Sequence, residues 1–248
     1  MKNHWAAIST IAKRELSAYF ESPVAYVFLV IFLLLAGFFT FTFGGFFERG
    51  EASLTALFTW LPWLFLFLVP AVGMRLWSEE RRMGTIELLL TLPVAAWQAI
   101  LGKFLASWAF LAIALVLTFP MVITVNWLGD PDNGVIASGY IGAALLAGAY
   151  LAISSMTSAL TRNQVIAFVL AVVLCLLLVL VGFSPVTDLL SRWASPRFVE
   201  GVARFSVLTH YDGFQKGVLD SRGLLYFLSV TAFSLFATGV VIRNHRAG

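Results

Sequence analysis

Residues 57–93 read LFTWLPWLFLFLVPAVGMRLWSEERRMGTIELLLTLP. The first half is apolar over a length near the ~20 residues that an α-helix needs to cross a hydrocarbon core of about 30 Å. The second half is a knot of charge: Glu79-Glu80-Arg81-Arg82, then Gly84-Thr85-Ile86-Glu87. Gly102-Lys103 closes it, and a second apolar stretch begins at Phe104. Charge confined to the connection between two uncharged stretches decides the class. The chain reads as an all-α, polytopic membrane protein.

Composition agrees. Of 248 residues, 60% are hydrophobic and 12% charged, against roughly 25% charged in soluble domains. A membrane barrel would alternate in ~10-residue segments, and no such pattern is visible. The single cysteine, Cys175, lies in an apolar run, so neither a disulfide framework nor a thiol metal site is expected.

Six spans are expected: Val24 to Phe43, Leu57 to Leu76, Phe104 to Val125, Ile136 to Leu160, Val165 to Phe183 and Leu224 to Ile242. They form one transmembrane domain over residues 1–248. Residues 1–22 precede the first span, 24–183 carry spans one to five, 184–223 form an external loop, and 224–242 are the last span. The first 22 residues do not read as a cleaved signal. Ile8, Ile11, Ala12, Leu16 and Tyr19 share a helical face, which suits a short helix in the headgroup plane; a partly ordered tail is the alternative. Lys2, Lys13, Arg14, Arg75, Arg81, Arg82, Lys103, Arg162, Arg243 and Arg246 fall on one side of this arrangement. Arg49, Arg192, Arg197, Arg204, Lys216 and Arg222 fall on the other, five of them in one long loop that counts less toward orientation, and a short loop on that side carries Asp130 and Asp132 without a base. The positive-inside rule then places both termini in the cytoplasm. Trp5, Trp77, Trp127 and Trp193 fall near the interfaces, where aromatic belts form.

In the fourth span Gly139, Ala143 and Ala147 recur every four residues, with Gly148 in a second row. Small residues at this spacing let helices approach closely, either inside one subunit or across a dimer seam. Ser154, Ser155, Thr157 and Ser158 follow; they could line a polar path or bond their own helix.

The span cores carry no Asp, Glu, Lys, Arg or His, although proton-coupled carriers place such groups there. Zinc-protease and serine-elbow signatures are absent, and so is the glycine-rich phosphate loop. Basic residues lack the density of a nucleic-acid face, so no nucleic-acid partner is expected. His210 pairs with no convincing serine. A passive channel would need a carbonyl filter or charged ring, and neither is apparent.

The charged connection has its own logic. Ser78 is placed to cap a short helix, with Glu79 and Glu80 in its first turn. Gly84 permits a break, and Thr85 can cap a second helix whose apolar face is Ile86, Leu89 and Leu90, up to Pro93. Helix, break and helix, tethered to a span at both ends, can act as a stiff lever; a solvated loop is the other reading.

The run Glu-Glu-Arg-x-x-Gly-Thr-x-Glu-Leu-Leu-x-x-x-Pro, with Gly-Lys downstream, resembles the membrane subunits of the type-two ABC exporter superfamily. A second stretch, Phe205 to Asp220 (FSVLTHYDGFQKGVLD), is similar to the branch typified by the gliding-motility ABC permease. The resemblance covers the chain in length, span count and loop placement. It implies a non-catalytic permease in a bacterial cytoplasmic membrane, paired with a second copy of itself or a related permease. It implies a separate cytoplasmic ATP-binding cassette subunit that carries ATP and Mg, with no cofactor on this chain. Residues 1–22 would be the connecting helix, and Ile86 to Trp97 would include the coupling helix. The ATPase-coupling contacts would be Glu79, Glu80, Arg81, Thr85, Ile86, Glu87 and Leu90. Short helices that dip back toward the membrane would precede the last span, with Val199, Val202, Phe205 and Val207 to Leu208 as their apolar residues. The function implied is export driven by the partner's ATP hydrolysis. The alternative is a force-transmitting envelope scaffold that passes no cargo and works with a periplasmic or membrane auxiliary protein.

Overall fold

The computed structural model describes residues 4–48, 50–85 and 95–244. All regular structure among them is helical. Helix α1 spans His4–Glu21 and ends at Ser22, whose hydroxyl caps α2 (Pro23–Phe38) by accepting from Val24 N–H at 3.3 Å. Pro23 at the first helical position fits this start, because it has no N–H to leave unbonded. The span continues as a π-helical turn, Phe39–Phe43.

Next come α3 (Thr55–Gly73) and α4 (Arg75–Met83), then α5 (Ala96–Val116) and α6 (Phe119–Leu128). Helix α7 (Asn133–Leu160) follows, capped by Asp132, which accepts from Gly134 and Val135 N–H. Helix α8 (Gln164–Leu180) is capped by Asn163. Three short helices precede the last one: α9 (Ser184–Ser191), α10 (Pro196–Ala203), α11 (Val207–Gln215) and then α12 (Ser221–Asn244).

Among the described residues, five helical stretches are long and apolar enough to cross a membrane: Pro23–Phe43, Thr55–Met83, Ala96–Leu128, Asn133–Leu160 and Ser221–Asn244. A sixth forms if α8 and α9, bent by 65° at their break, count as one. The six expected spans therefore recur in order. The third is longer than expected, since its helix starts at Ala96 rather than Phe104. Its 33 residues extend for roughly 50 Å, well beyond a hydrocarbon core.

Helix α7 is the central post. Gly139 faces the Phe58 ring so closely that a Cβ there would lie 2.5 Å from it, and at Gly142 a Cβ would meet Phe214 Cβ at 2.5 Å. Gly148 faces Trp108, whose indole donates to the Ala144 carbonyl at 2.9 Å. Ala143 and Ala147 are fully buried. The small-residue rows of this helix are thus filled by neighbours from the same chain. By contrast, α2 presents Val27, Val30, Ile31 and Leu34 outward, and α8 presents Val165, Val169, Val173 and Leu177. Apolar surface on this scale belongs against lipid or another membrane helix.

Helix α11 is tucked against α7. Val207 and Tyr211 are fully buried and Phe214 nearly so, whereas Phe205 is 68% exposed. The inward turn is therefore made by residues 206–214, which include Val207 and Leu208 of the expected set, whereas Phe205 of that set faces outward. Helix α11 ends at Gly217, with φ +81°, where Val218 N–H bonds the Gly213 carbonyl and Gly217 N–H bonds the Phe214 carbonyl. That pair of bonds is a Schellman stop.

Both described ends of the chain lie at the same end of the bundle, here called basal. The His4 ring is 5.8 Å from the Trp97 ring, and Trp97 shares a groove with Arg243. Helix α1 runs alongside α5, not across it at one point. His4 meets Gln98, Ile11 meets Gly102, Glu15 meets Lys103 and Tyr19 meets Ser107, so positions rise together on both helices.

Candidate functional site

The second span is interrupted at Met74, and the interruption is stitched to α7. A new helix beginning at Arg75 leaves its first N–H groups without a preceding turn. Trp77 N–H and Ser78 N–H both donate to Ser158 Oγ at 3.0 Å. Ser158 Oγ in turn donates to the Met74 carbonyl at 2.7 Å. One hydroxyl therefore satisfies three main-chain groups. The Trp77 indole N–H donates to Ser155 Oγ at 3.0 Å. The close approach depends on Gly73, where a Cβ would lie 2.4 Å from Ser154 Cβ. Ser154 and Thr157 bond carbonyls of their own helix. The hydroxyl row thus divides between securing α4 and bonding itself.

Ser78 is not a cap. It is fully buried inside α4, and its hydroxyl returns to the Met74 carbonyl at 2.5 Å. Trp77 is buried as well, unlike Trp5, Trp127 and Trp193, which are all more than three-quarters exposed. The expected break at Gly84 is present: its φ of +72° places it in the left-handed region, and its N–H closes α4 on the Glu80 carbonyl.

Below the break, Lys103 gathers three helices. Its side chain is 7% exposed. The ammonium lies 2.8 Å from Glu80 Oε1 on α4 and 3.6 Å from Glu15 Oε2 on α1. It also donates to the Leu76 carbonyl at 3.3 Å and sits over the Trp77 ring, 5.4 Å from its centroid. An ammonium so enclosed persists only with such partners, because a buried, unpaired charge is costly. Tyr19 adds a further tie, its hydroxyl 2.9 Å from Ser107 Oγ, which donates to the Lys103 carbonyl. Burial raises the Tyr19 phenol above its ordinary range and keeps it neutral.

The expected coupling residues take distinct places. Glu80 joins Lys103. Arg81 reaches across to donate to the Ala159 carbonyl at the end of α7. Glu79 lies on the same helix, half-buried, and Thr85 donates to the Glu80 carbonyl at 3.4 Å. Ile86, Glu87 and Leu90 lie outside the described residues, as does most of the Ile86 to Trp97 segment. Trp97 itself belongs to α5 and is 47% exposed.

Sequence reasoning passed over Lys103 as a membrane-edge marker, and Glu15 and Ser158 as members of this site. The one available signal was a lone lysine after glycine inside an apolar run, since an amine in such a run has to find an acid.

A cleft of about 400 Å³ opens between α1, α2, α4 and α5 beside this cluster. Glu15, Glu79, Glu80, Arg75 and Lys103 line one end, and Phe28, Val72 and Phe110 line the other. The second carboxylate oxygen of Glu80, Oε2, is buried and has no hydrogen-bond partner. No cluster of three or more metal-ligating side chains occurs among the described residues.

The family model described as ABC-2 family transporter protein matches residues 9–211. No curated protein matches the sequence.

Proposed function

The chain belongs to the ABC-2 family of transporter proteins, and from that premise we propose that it is the permease subunit through which a separate ATP-binding cassette protein drives export. The basal end is then cytoplasmic. In support, Arg75, Arg81, Arg82, Lys103, Arg162 and Arg243 gather there, as the positive-inside rule requires.

The observation that carries the reading is the Lys103 cluster. Helix α4 continues the second span beyond its break, and Glu80 and Lys103 join it to α5 and α1. A force applied at the Gly84 end of α4 would reach three helices at once. The chain supplies the moving half and makes different contacts in its two states. Residues 86–94 would sit in the ATPase, with Glu79, Arg81 and Thr85 at the rim of that contact. ATP and Mg would stay on the partner, and a second copy of the chain or a related permease would complete the membrane unit.

The similarity of the Phe205 to Asp220 stretch to the gliding-motility branch supports assigning the chain to that branch within this proposal. That branch favours a second form of the reading, in which the complex transmits force to an envelope partner and passes no cargo.

The test is reconstitution with the cognate ATPase. The permease should bind that subunit and raise its ATP turnover. Lys103→Met should lower that stimulation about tenfold while leaving assembly intact, the loss expected when a coupling worth between 1 and 2 kcal/mol is removed. Full stimulation with Lys103→Met and with Glu80→Gln would overturn the coupling assignment. Transport of no solute by a fully stimulated complex would favour the force-transmitting form.

A further inference from the structure

We propose that the basal cleft between α1, α2, α4 and α5 is a seat for a phospholipid whose headgroup ends in a primary ammonium, of the phosphatidylethanolamine kind. The order of chemistry along the cleft is the first argument. Phe28, Val72 and Phe110 make its apolar end. Arg75 follows, with Tyr19 and Ser22 also on the wall. Glu79 and Glu80 come last, one helical turn beyond Arg75, which is roughly 6 Å along α4. A phospholipid entering from the membrane presents the same sequence: acyl carbons, then phosphate, then the amine at the far end.

Charge pairing is the second argument. Among the described residues, no carboxylate lies within ion-pair reach of Arg75 and no cation within reach of Glu79. Glu80 gives one oxygen to Lys103, and its other oxygen is buried with no donor. A cation and carboxylates set apart along one wall fit a zwitterion better than a simple anion or cation. The half-buried Glu79 carboxylate, which no cation among the described residues reaches, calls for an N–H donor, which a primary ammonium has and a quaternary one lacks. An ammonium bond to carboxylate is among the stronger hydrogen bonds.

Size and access fit as well. About 400 Å³ holds a headgroup and the first acyl carbons. The tails then run along the outward face of the first span, where Val24 and Val27 are more than half exposed. Phe110 lies seven residues beyond Lys103 on α5, so the cleft is roughly 10 Å deep along that helix. Such a lipid would bridge α1 and α4 beside the Lys103 cluster.

The test uses the full-length permease alone, so it does not depend on the ATPase assignment. The protein in detergent is exposed to an equimolar mixture of phosphatidylethanolamine, phosphatidylcholine and phosphatidylglycerol, and retained lipid is read by native mass spectrometry. Phosphatidylethanolamine should be retained about tenfold over phosphatidylcholine, the ratio that one charge-assisted hydrogen bond supplies. Glu79→Gln and Glu80→Gln should each reduce that ratio to below about threefold, and Arg75→Gln should lower retention of both zwitterionic lipids. Asp212→Asn, at the other end of the bundle, should change nothing. Equal retention of the ethanolamine and choline lipids would overturn the proposal, and so would preference for phosphatidylglycerol. A ratio unmoved by Glu79→Gln would do the same, and the half-buried position of Glu79 leaves this variant able to fold.

Discussion

Lys103 Nζ lies 2.8 Å from Glu80 Oε1, joining the start of the third span to the charged extension of the second. Both side chains are largely buried, so solvent screens the pair only weakly. The consequence is a stability coupling that a surface pair would not show.

Lys103→Ala strands the Glu80 carboxylate, while Glu15 keeps Arg14 at 3.0 Å, and should destabilise the protein by about 3 kcal/mol, as broken buried pairs do. Adding Glu80→Gln should restore a good part of that loss. Thermal melting of the two single variants and the double variant in detergent reads the coupling, which should exceed about 1 kcal/mol. Additive losses would show that the pair contributes nothing as a pair.

Ser158→Ala and Ser154→Ala should differ sharply although the residues are one turn apart. The first leaves Trp77 N–H, Ser78 N–H and the Met74 carbonyl without their shared partner, and should cost about 1–3 kcal/mol or more. The second removes only a bond to its own helix and keeps the Cβ that meets Gly73. Parallel melting curves decide it, with Trp77 fluorescence as a local probe. Equal effects would contradict the stitched break.

Gly142→Ala should be costly and Gly37→Ala mild. An added methyl at Gly142 lies 2.5 Å from Phe214 Cβ, so α11 has to move, at about 1–3 kcal/mol. At Gly37 the nearest atom is Met121 Cε at 3.8 Å, an ordinary van der Waals contact for a methyl. Expression and melting temperature of the two variants should rank in that order.

Gly84→Ala tests the break below the cluster. No atom crowds a Cβ there, so the cost comes from the backbone, about 1 kcal/mol for a left-handed φ of +72°. Gly84→Asn should cost less, since asparagine tolerates that region better. In the reconstituted complex, Gly84→Ala should lower stimulated ATP turnover more than Gly84→Asn.

The spans were legible because hydropathy is a local sum, and Pro23–Phe43 or Asn133–Leu160 declares itself within its own residues. Gly84 was legible for the same reason, since a glycine after an amphipathic turn is a local stop signal. Ser78 misled because its partner lies 80 positions away, on a helix whose rotation no local pattern fixes. A serine ahead of two glutamates has the form of a cap, but the break at Met74 had already started the helix. Lys103 was read as a boundary because the helix start at Ala96 puts it two turns inside, and that start is set by Gln98 bonding Ala95 N–H and by packing against α1. In the small-residue rows, sequence showed the capacity for close approach, while the identity of the neighbours, Phe58, Phe214 and Trp108, emerged only in three dimensions.

The triple duty of the Ser158 hydroxyl restricts how the molecule can move. Swinging Arg75–Met83 by itself would leave two amides dry and unanswered and take from the Met74 carbonyl one of its two donors, so the inexpensive motion carries Asn133–Leu160 with it. A push from outside the bilayer is thereby delivered to the middle of the subunit instead of being absorbed at its edge.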